Sequence, residues 1–186
     1  MTKWYYIILL LLLSSCKDNN REEPFTNNEN AQEFKKELFF PDDFLGVYKG
    51  TLLNTSSKGT ENIPMELHLL KTPDSMRYDY KIFYGEERSE RGYTLVKTEN
   101  PNIYELDENN GIILPIAHSK NTLFSTYDVA GNLLHTSEVF YEDRMDFMIT
   151  MSSLETKEQA GESAGYEVTS YPVLVMQQAT LYKIEE

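Results

Sequence analysis

The chain of 186 residues holds one cysteine, Cys16. It therefore cannot form an intramolecular disulfide, a Cys-x-x-Cys redox pair or a cysteine-rich zinc site. Positive charge is scarce, with 17 Lys+Arg against 30 Asp+Glu and a net charge of -13. That balance argues against nucleic-acid binding, which needs a positive face toward phosphate. Long apolar runs are nearly absent. The one that exists, Trp4 to Leu13, is shorter than the roughly 20 residues a membrane-spanning helix needs. Histidines number three, and His68, His118 and His135 fall on different predicted strands. The length suits one domain with a tail and excludes a large multidomain enzyme.

What is present begins with MTKWYYIILLLLLSSC. Lys3 and the amino terminus supply positive charge, and the apolar run after them has the length of a signal-peptide core. It ends in Leu13-Ser14-Ser15-Cys16. This resembles a bacterial lipobox, in which a small residue precedes an invariant cysteine. The resemblance implies that the Cys16 thiol is alkylated by a diacylglycerol and that the peptide is cut just before it. It also implies that the new amino terminus is usually acylated. More than one acyl chain anchors a protein stably where a single chain binds only marginally. Cleavage removes Lys3 and Trp4, so 16 positive residues face 30 negative ones, a net of -14, with no tryptophan and no free thiol.

Lys17-Asp18-Asn19-Asn20-Arg21-Glu22-Glu23 follows the cysteine. No aspartate stands directly after Cys16, so the inner-membrane retention signal of enterobacterial lipoproteins is absent. The lysine followed by acidic residues is similar to the surface-export signals of Bacteroidetes lipoproteins, and it also reads as a solvated tether. The expected location is the outer membrane, lipid-anchored, at the periplasmic face or the cell surface.

Residues 17 to about 30 are rich in Asn and Glu and read as a flexible linker. Asn30 can cap a short helix, with Glu33 completing a capping box and Phe34 and Leu38 sharing a face. Pro41 ends it. Three regions result: 1–15 as signal peptide, 16–43 as lipidated cysteine, tether and short helix, and 44–186 as the folded domain.

From Phe44 on, strand follows strand. Gly46 to Leu53, then Ile63 to Leu69, Met76 to Tyr84, Gly92 to Thr98 and Asn102 to Leu106 are separated by turn formers such as Glu99-Asn100-Pro101. Gly111 to His118, Thr122 to Asp128, Leu133 to Tyr141, Met145 to Met151 and Tyr171 to Ile184 complete the set, while Ser152 to Ser170 reads as a long loop or ragged hairpin. Helical spacing is absent after residue 40, which argues against βαβ units. A meander of this length must deal with its edges, and closure removes them. The expected fold is all-β, an antiparallel up-and-down barrel of about eight to ten strands with the short N-terminal helix plugging one end.

Gly46-Val47-Tyr48-Lys49-Gly50 opens the first strand after a short helix. It resembles the Gly-x-Trp start of lipocalins and the Gly-x-Tyr-x-Gly start of small envelope lipoprotein barrels. Gly111-Ile112-Ile113-Leu114, Asn121 to Ser125 and Val129 to Leu133 are similar to lipocalin-like lipoproteins of Bacteroidetes. The resemblance spans most of residues 44–186 and implies a barrel that takes a small ligand. Asn54-Thr55-Ser56-Ser57 stands where the envelope-stress barrels carry Cys-x-x-Cys, so thiolate copper binding is excluded.

Several fragments could carry chemistry. Gly161-Glu162-Ser163-Ala164-Gly165 matches a nucleophile elbow, but polar residues precede it, no helix follows, and the last histidine lies upstream at His135. Glu66 and His68 share a face, yet zinc needs a third and fourth ligand from neighbouring strands, and nothing in the sequence brings the other histidines to them. Asp107-Glu108-Asn109-Asn110-Gly111 lacks the distal glutamate of a calcium loop and reads as a turn. Glu142-Asp143-Arg144 is a solvated turn with its own counter-charge. No nucleophile, base or metal set stands out, so the chain reads as non-enzymatic and without a cofactor.

The tyrosines say most. Met76, Tyr78, Tyr80, Ile82 and Tyr84 alternate onto one face. Pointed inward, Tyr78, Tyr80 and Tyr84, with Tyr48 on the first strand, would line a barrel with apolar bodies and polar tips suited to a small apolar or amphipathic ligand. The same residues could instead fill the barrel. Two functions stay open: a membrane-anchored barrel that binds such a ligand, or a filled barrel that contacts another envelope protein through its surface.

Overall fold

A computed structural model describes residues 37–185. The expected signal peptide, the expected lipidation site Cys16, the expected tether and the residues from Asn30 to Lys36 lie outside the described residues.

The alternation of apolar and polar residues becomes twelve strands. These are β1 (Gly46–Ser56), β2 (Gly59–Lys71), β3 (Arg77–Tyr84), β4 (Ser89–Lys97), β5 (Ile103–Asp107) and β6 (Ile113–Ser119), then β7 (Thr122–Val129), β8 (Asn132–Phe140), β9 (Arg144–Ser153), β10 (Glu158–Ser163), β11 (Tyr166–Ser170) and β12 (Val173–Lys183). Ten of them close a barrel in the order β1-β12-β9-β8-β7-β6-β5-β4-β3-β2. Every neighbouring pair is antiparallel. Closure pairs β1 with β12, for example Gly50 with Leu181, and leaves the barrel no free edge. The expected all-β up-and-down barrel is the observed fold.

Local chemistry explains the connections. Ala130 (φ 50°) and Gly131 (φ 78°) take left-handed backbone between β7 and β8, as a two-residue hairpin turn of the favoured hand demands. Gly50 serves the closing seam: a Cβ there would meet the Thr180 carbonyl oxygen at 2.5 Å.

Two sequence expectations change. Glu37 to Phe39 are not helical, and among the described residues the only helix is a 3-10 turn over Asp42–Phe44. Its Phe44, with Phe40 just before it, does plug one end of the barrel. Phe40 lies 5.1 Å from the Phe140 ring and 5.5 Å from Tyr104, and Phe44 lies 6.1 Å from Phe140. Met76 precedes β3 and is exposed rather than inward. Of the two forms expected after Ser152, the hairpin is observed: residues 158–170 form a separate two-stranded hairpin, β10-β11, almost entirely exposed.

The core is the barrel interior. Tyr48, Leu52, Met65, Leu67, Leu69, Tyr80, Leu95, Leu123, Phe140, Met145, Phe147 and Leu181 are each no more than 2% exposed. Burying one such side chain stabilises by roughly 1.5–3 kcal/mol, so this inward set, not the hairpin, holds the fold.

Candidate ligand-binding site

The register sorts the inward side chains by depth. At the plugged end Tyr48 donates its hydroxyl hydrogen to the Phe44 carbonyl, and burial pushes its phenol up to about 12. Tyr78 donates to the Asp42 carboxylate at 3.3 Å, with the Lys97 ammonium 5.0 Å from its ring centre. Asp42 also takes Lys97 at 3.1 Å and Lys71 at 3.5 Å. Burial alone would raise Asp42, but its hydrogen bonds, led by Lys97, hold the carboxyl below its usual value. Tyr48 and Tyr78, two of the tyrosines expected to line a ligand site, thus belong to the stoppered end, and their hydroxyls are already engaged.

Tyr80 and Tyr84 lie further along β3. Tyr80 is 2% exposed and pairs across the sheet with Tyr93, ring centres 6.3 Å apart. In the same layer stands Glu138. It pairs with Leu123 on one side and Phe147 on the other, both inward and buried, so its carboxylate points into the barrel. Glu138 Oε2 and Tyr80 Oη are both out of solvent, and neither has a hydrogen-bond partner apart from each other. Burial pushes the Glu138 carboxyl up to about 7, and the nearby Tyr80 hydroxyl offsets this only in part. Burial, and then the Glu138 charge, drives the Tyr80 phenol well above its ordinary value. A buried polar group left without a partner costs on the order of 1–3 kcal/mol, so this pair is the least satisfied part of the interior.

Sequence reasoning missed Glu138. On Leu133 to Tyr141 both alternating sets mix apolar and polar residues: Leu133, His135, Ser137, Val139 against Leu134, Thr136, Glu138, Phe140. Periodicity alone does not say which set faces inward. Had Phe140 been taken as the anchor of the inward face, Glu138 would have stood out as a charge among apolar neighbours.

Beyond this layer the interior changes character. Asn54, Ile63, Tyr84, Tyr93, Tyr127, Thr136, Ile149 and Gln177 share the inward register but are only half-buried. Polar side chains here bond one another: Ser125 with Thr136 at 2.6 Å, and Gln177 donating to Asn54 at 3.3 Å. Burial raises the phenols of Tyr84, Tyr93 and Tyr127, and all three also feel the Glu138 charge. Glu61 and Arg91 are exposed at the rim. Beside it, the β1-β2 hairpin and the start of β12 border a groove of about 1090 Å³. One end of the barrel is therefore closed and filled, while the other presents convergent tyrosines and a buried carboxyl.

The remaining fragments sit elsewhere. Glu66 lies on the outer face, bonded to Arg88, to Lys49 at 3.0 Å and to His68 at 3.2 Å. Burial opposes its ionisation, but these hydrogen bonds, led by that of Arg88, win and hold it at about 2. His118 contacts the Pro101 and Lys120 carbonyls near the plug, and His135 contacts Thr126 on the outside. Among the described residues no three His, Cys, Asp or Glu side chains come together as metal ligands. Gly161 to Gly165 form the exposed tip of the β10-β11 hairpin.

No family model matches the chain, and no curated protein matches it. Solved structures do. A protein of unknown function of the DUF3598 family from Nostoc punctiforme superposes with a TM-score of 0.57 at 12% identity, covering 80% of this chain and 50% of its own. The chain thus spans half the length of that protein. An S-type phycobiliprotein lyase from Guillardia theta superposes with a TM-score of 0.51 at 9% identity, covering 78% of this chain and 90% of its own. At such identities the likeness is one of architecture, and the fold is that of the lipocalin-like barrels.

Proposed function

We propose that this protein is an outer-membrane lipoprotein, anchored through Cys16, whose barrel holds a small amphipathic molecule at its tyrosine-lined end without catalysing a reaction on it. The observation that carries the binding half is the buried, unpartnered pair Tyr80 Oη and Glu138 Oε2, beneath half-buried Tyr84, Tyr93 and Tyr127. A ligand with an apolar body and a hydrogen-bonding head would cover the tyrosines and complete the missing hydrogen bonds. The ligand-binding residues in this reading are Tyr80, Tyr84, Tyr93, Tyr127 and Glu138. The likeness to a phycobiliprotein lyase supports the barrel as a scaffold and says nothing of the ligand. The anchoring half rests on the lipobox resemblance at Leu13 to Cys16.

Two experiments test these halves. Native mass spectrometry of gently extracted protein should show an added mass that disappears on denaturation. A bare mass in repeated preparations would remove the binding reading. Labelled palmitate should enter the wild-type protein, and Cys16→Ala should release it from the membrane fraction.

A second reading draws on the β10-β11 hairpin. Tyr166 is 75% and Val168 51% exposed on one of its faces, and a two-stranded hairpin is marginally stable by itself. A bare barrel would leave an envelope protein partner at this hairpin as the better account.

A further inference from the structure

We propose that the polar head taken up at Glu138 is a cationic nitrogen, so that the ligand is an amphipathic amine rather than an alcohol or an acid; this rests on the reading that the tyrosine-lined end binds a ligand.

Glu138 is an inward carboxylate with no counter-ion. Arg91 shares the inward register of Ile82 but is exposed at the rim, and no basic side chain acts on the Glu138 carboxyl. Lys97, inward at the other end, is committed to Asp42 at 3.1 Å. Removing one partner of a buried ion pair leaves an arrangement like this one, and such sites strongly favour the missing charge. The surrounding rings point the same way. Among the described residues, cations already sit over Tyr48, Tyr78 and Tyr141, but over none of Tyr84, Tyr93 and Tyr127. Aromatic faces attract an ammonium and give a neutral hydroxyl no comparable gain. Arg91 acts on Tyr84 and Tyr93 at this end, but Glu61 and Glu108 stand there too, and with the net charge of -13 they repel an anionic head and draw a cationic one inward. An ammonium satisfies Glu138 Oε2 through a charge-assisted hydrogen bond; an alcohol satisfies only the hydrogen bond; a carboxylate meets repulsion.

The test is calorimetric titration of the full chain in lipid nanodiscs with hexylammonium, 1-hexanol and hexanoate, which share one apolar chain. Empty nanodiscs serve as the blank. Hexylammonium should bind about tenfold or more tighter than hexanol, with hexanoate weakest, and Glu138→Gln should erase that preference. The ranking within the wild type needs no variant, so a poorly folding Glu138→Gln does not blunt the test. Equal binding of all three probes, or a preference for hexanoate, overturns the cation inference while leaving a ligand site standing. Binding by none of them overturns both.

Discussion

Glu138 on β8 and Tyr80 on β3 stand in one layer of the barrel lumen, each with an oxygen removed from water and no hydrogen-bond partner but the other. Polar groups elsewhere are paired: Tyr48 with Phe44 and Tyr78 with Asp42 at the stoppered end, and Glu66 with Lys49, Arg88 and His68 on the outer face. A fold that pairs its polar groups elsewhere and leaves two unpaired at one depth has a local cost there. That cost makes the pair testable through stability as well as through binding.

Glu138 makes the barrel sensitive to pH near neutrality. Its carboxyl titrates at about 7 when folded, against an ordinary value of 4.5. The folded state therefore holds the proton more tightly. The associated stability is fully present below the ordinary value and is lost as pH rises through 7. The loss is about 3 kcal/mol. Urea unfolding at a series of pH values should show this decline in the wild type and a flat profile over the same range in Glu138→Gln.

While Glu138 is protonated, Tyr80→Phe should strengthen the barrel by about 1 kcal/mol, because the ring stays and only a buried hydroxyl with no partner but Glu138 goes. The Tyr80 hydroxyl also pulls the Glu138 carboxyl downward. The decline in the variant should therefore begin at the same ordinary carboxylate value but run on to a higher pH than in the wild type. Unfolding curves at neutral and alkaline pH check both statements.

Phe40→Ala unplugs the closed end. Phe40 is 8% exposed and touches Phe44, Tyr104, His118 and Phe140 through ring contacts between 5.1 and 6.1 Å. The expected loss is about 3 kcal/mol, read as a lowered Tm. Binding at the opposite end should survive in the folded fraction, which distinguishes a stopper from a ligand contact.

Gly50→Ala tests the seam. The new Cβ would press on the Thr180 carbonyl at 2.5 Å and on Leu181 Cδ2 at 3.0 Å. Both belong to β12, the strand that closes the barrel against β1. Separation of the two strands should cost about 1–3 kcal/mol. Hydrogen exchange should quicken first at the β1-β12 amides.

Replacing residues 157–169 by a two-residue turn should leave the barrel intact, since that stretch is exposed throughout. A Tm close to the wild type would show that the hairpin adds nothing to barrel stability. A collapse of the fold would show that β9 and β12 need it to find their register.

Strand content was legible because alternation is local. Tyr78, Tyr80 and Ile82 face inward as their spacing of two demands, and Tyr84 continues their register. The turn at Glu99-Asn100-Pro101 was legible from its residue types. Depth along the barrel axis was not. Tyr48 and Tyr80 look alike in sequence, yet one seals the plug and the other borders the unpaired carboxyl. Axial level depends on the stagger of ten strands, a property of the closed sheet rather than of any segment.

By itself the sequence determined an antiparallel chain of short strands and where most of them turn, because a period of two and a left-handed turn residue act over a few neighbours. The tertiary structure decided which end is stoppered, that Phe40 and Phe44 do it, and that Glu138 faces in beside Tyr80. Those outcomes require β1 to meet β12 across more than 120 residues (Asn54 beside Gln177). Only that closure places residues from distant strands at one level and takes a carboxylate out of water.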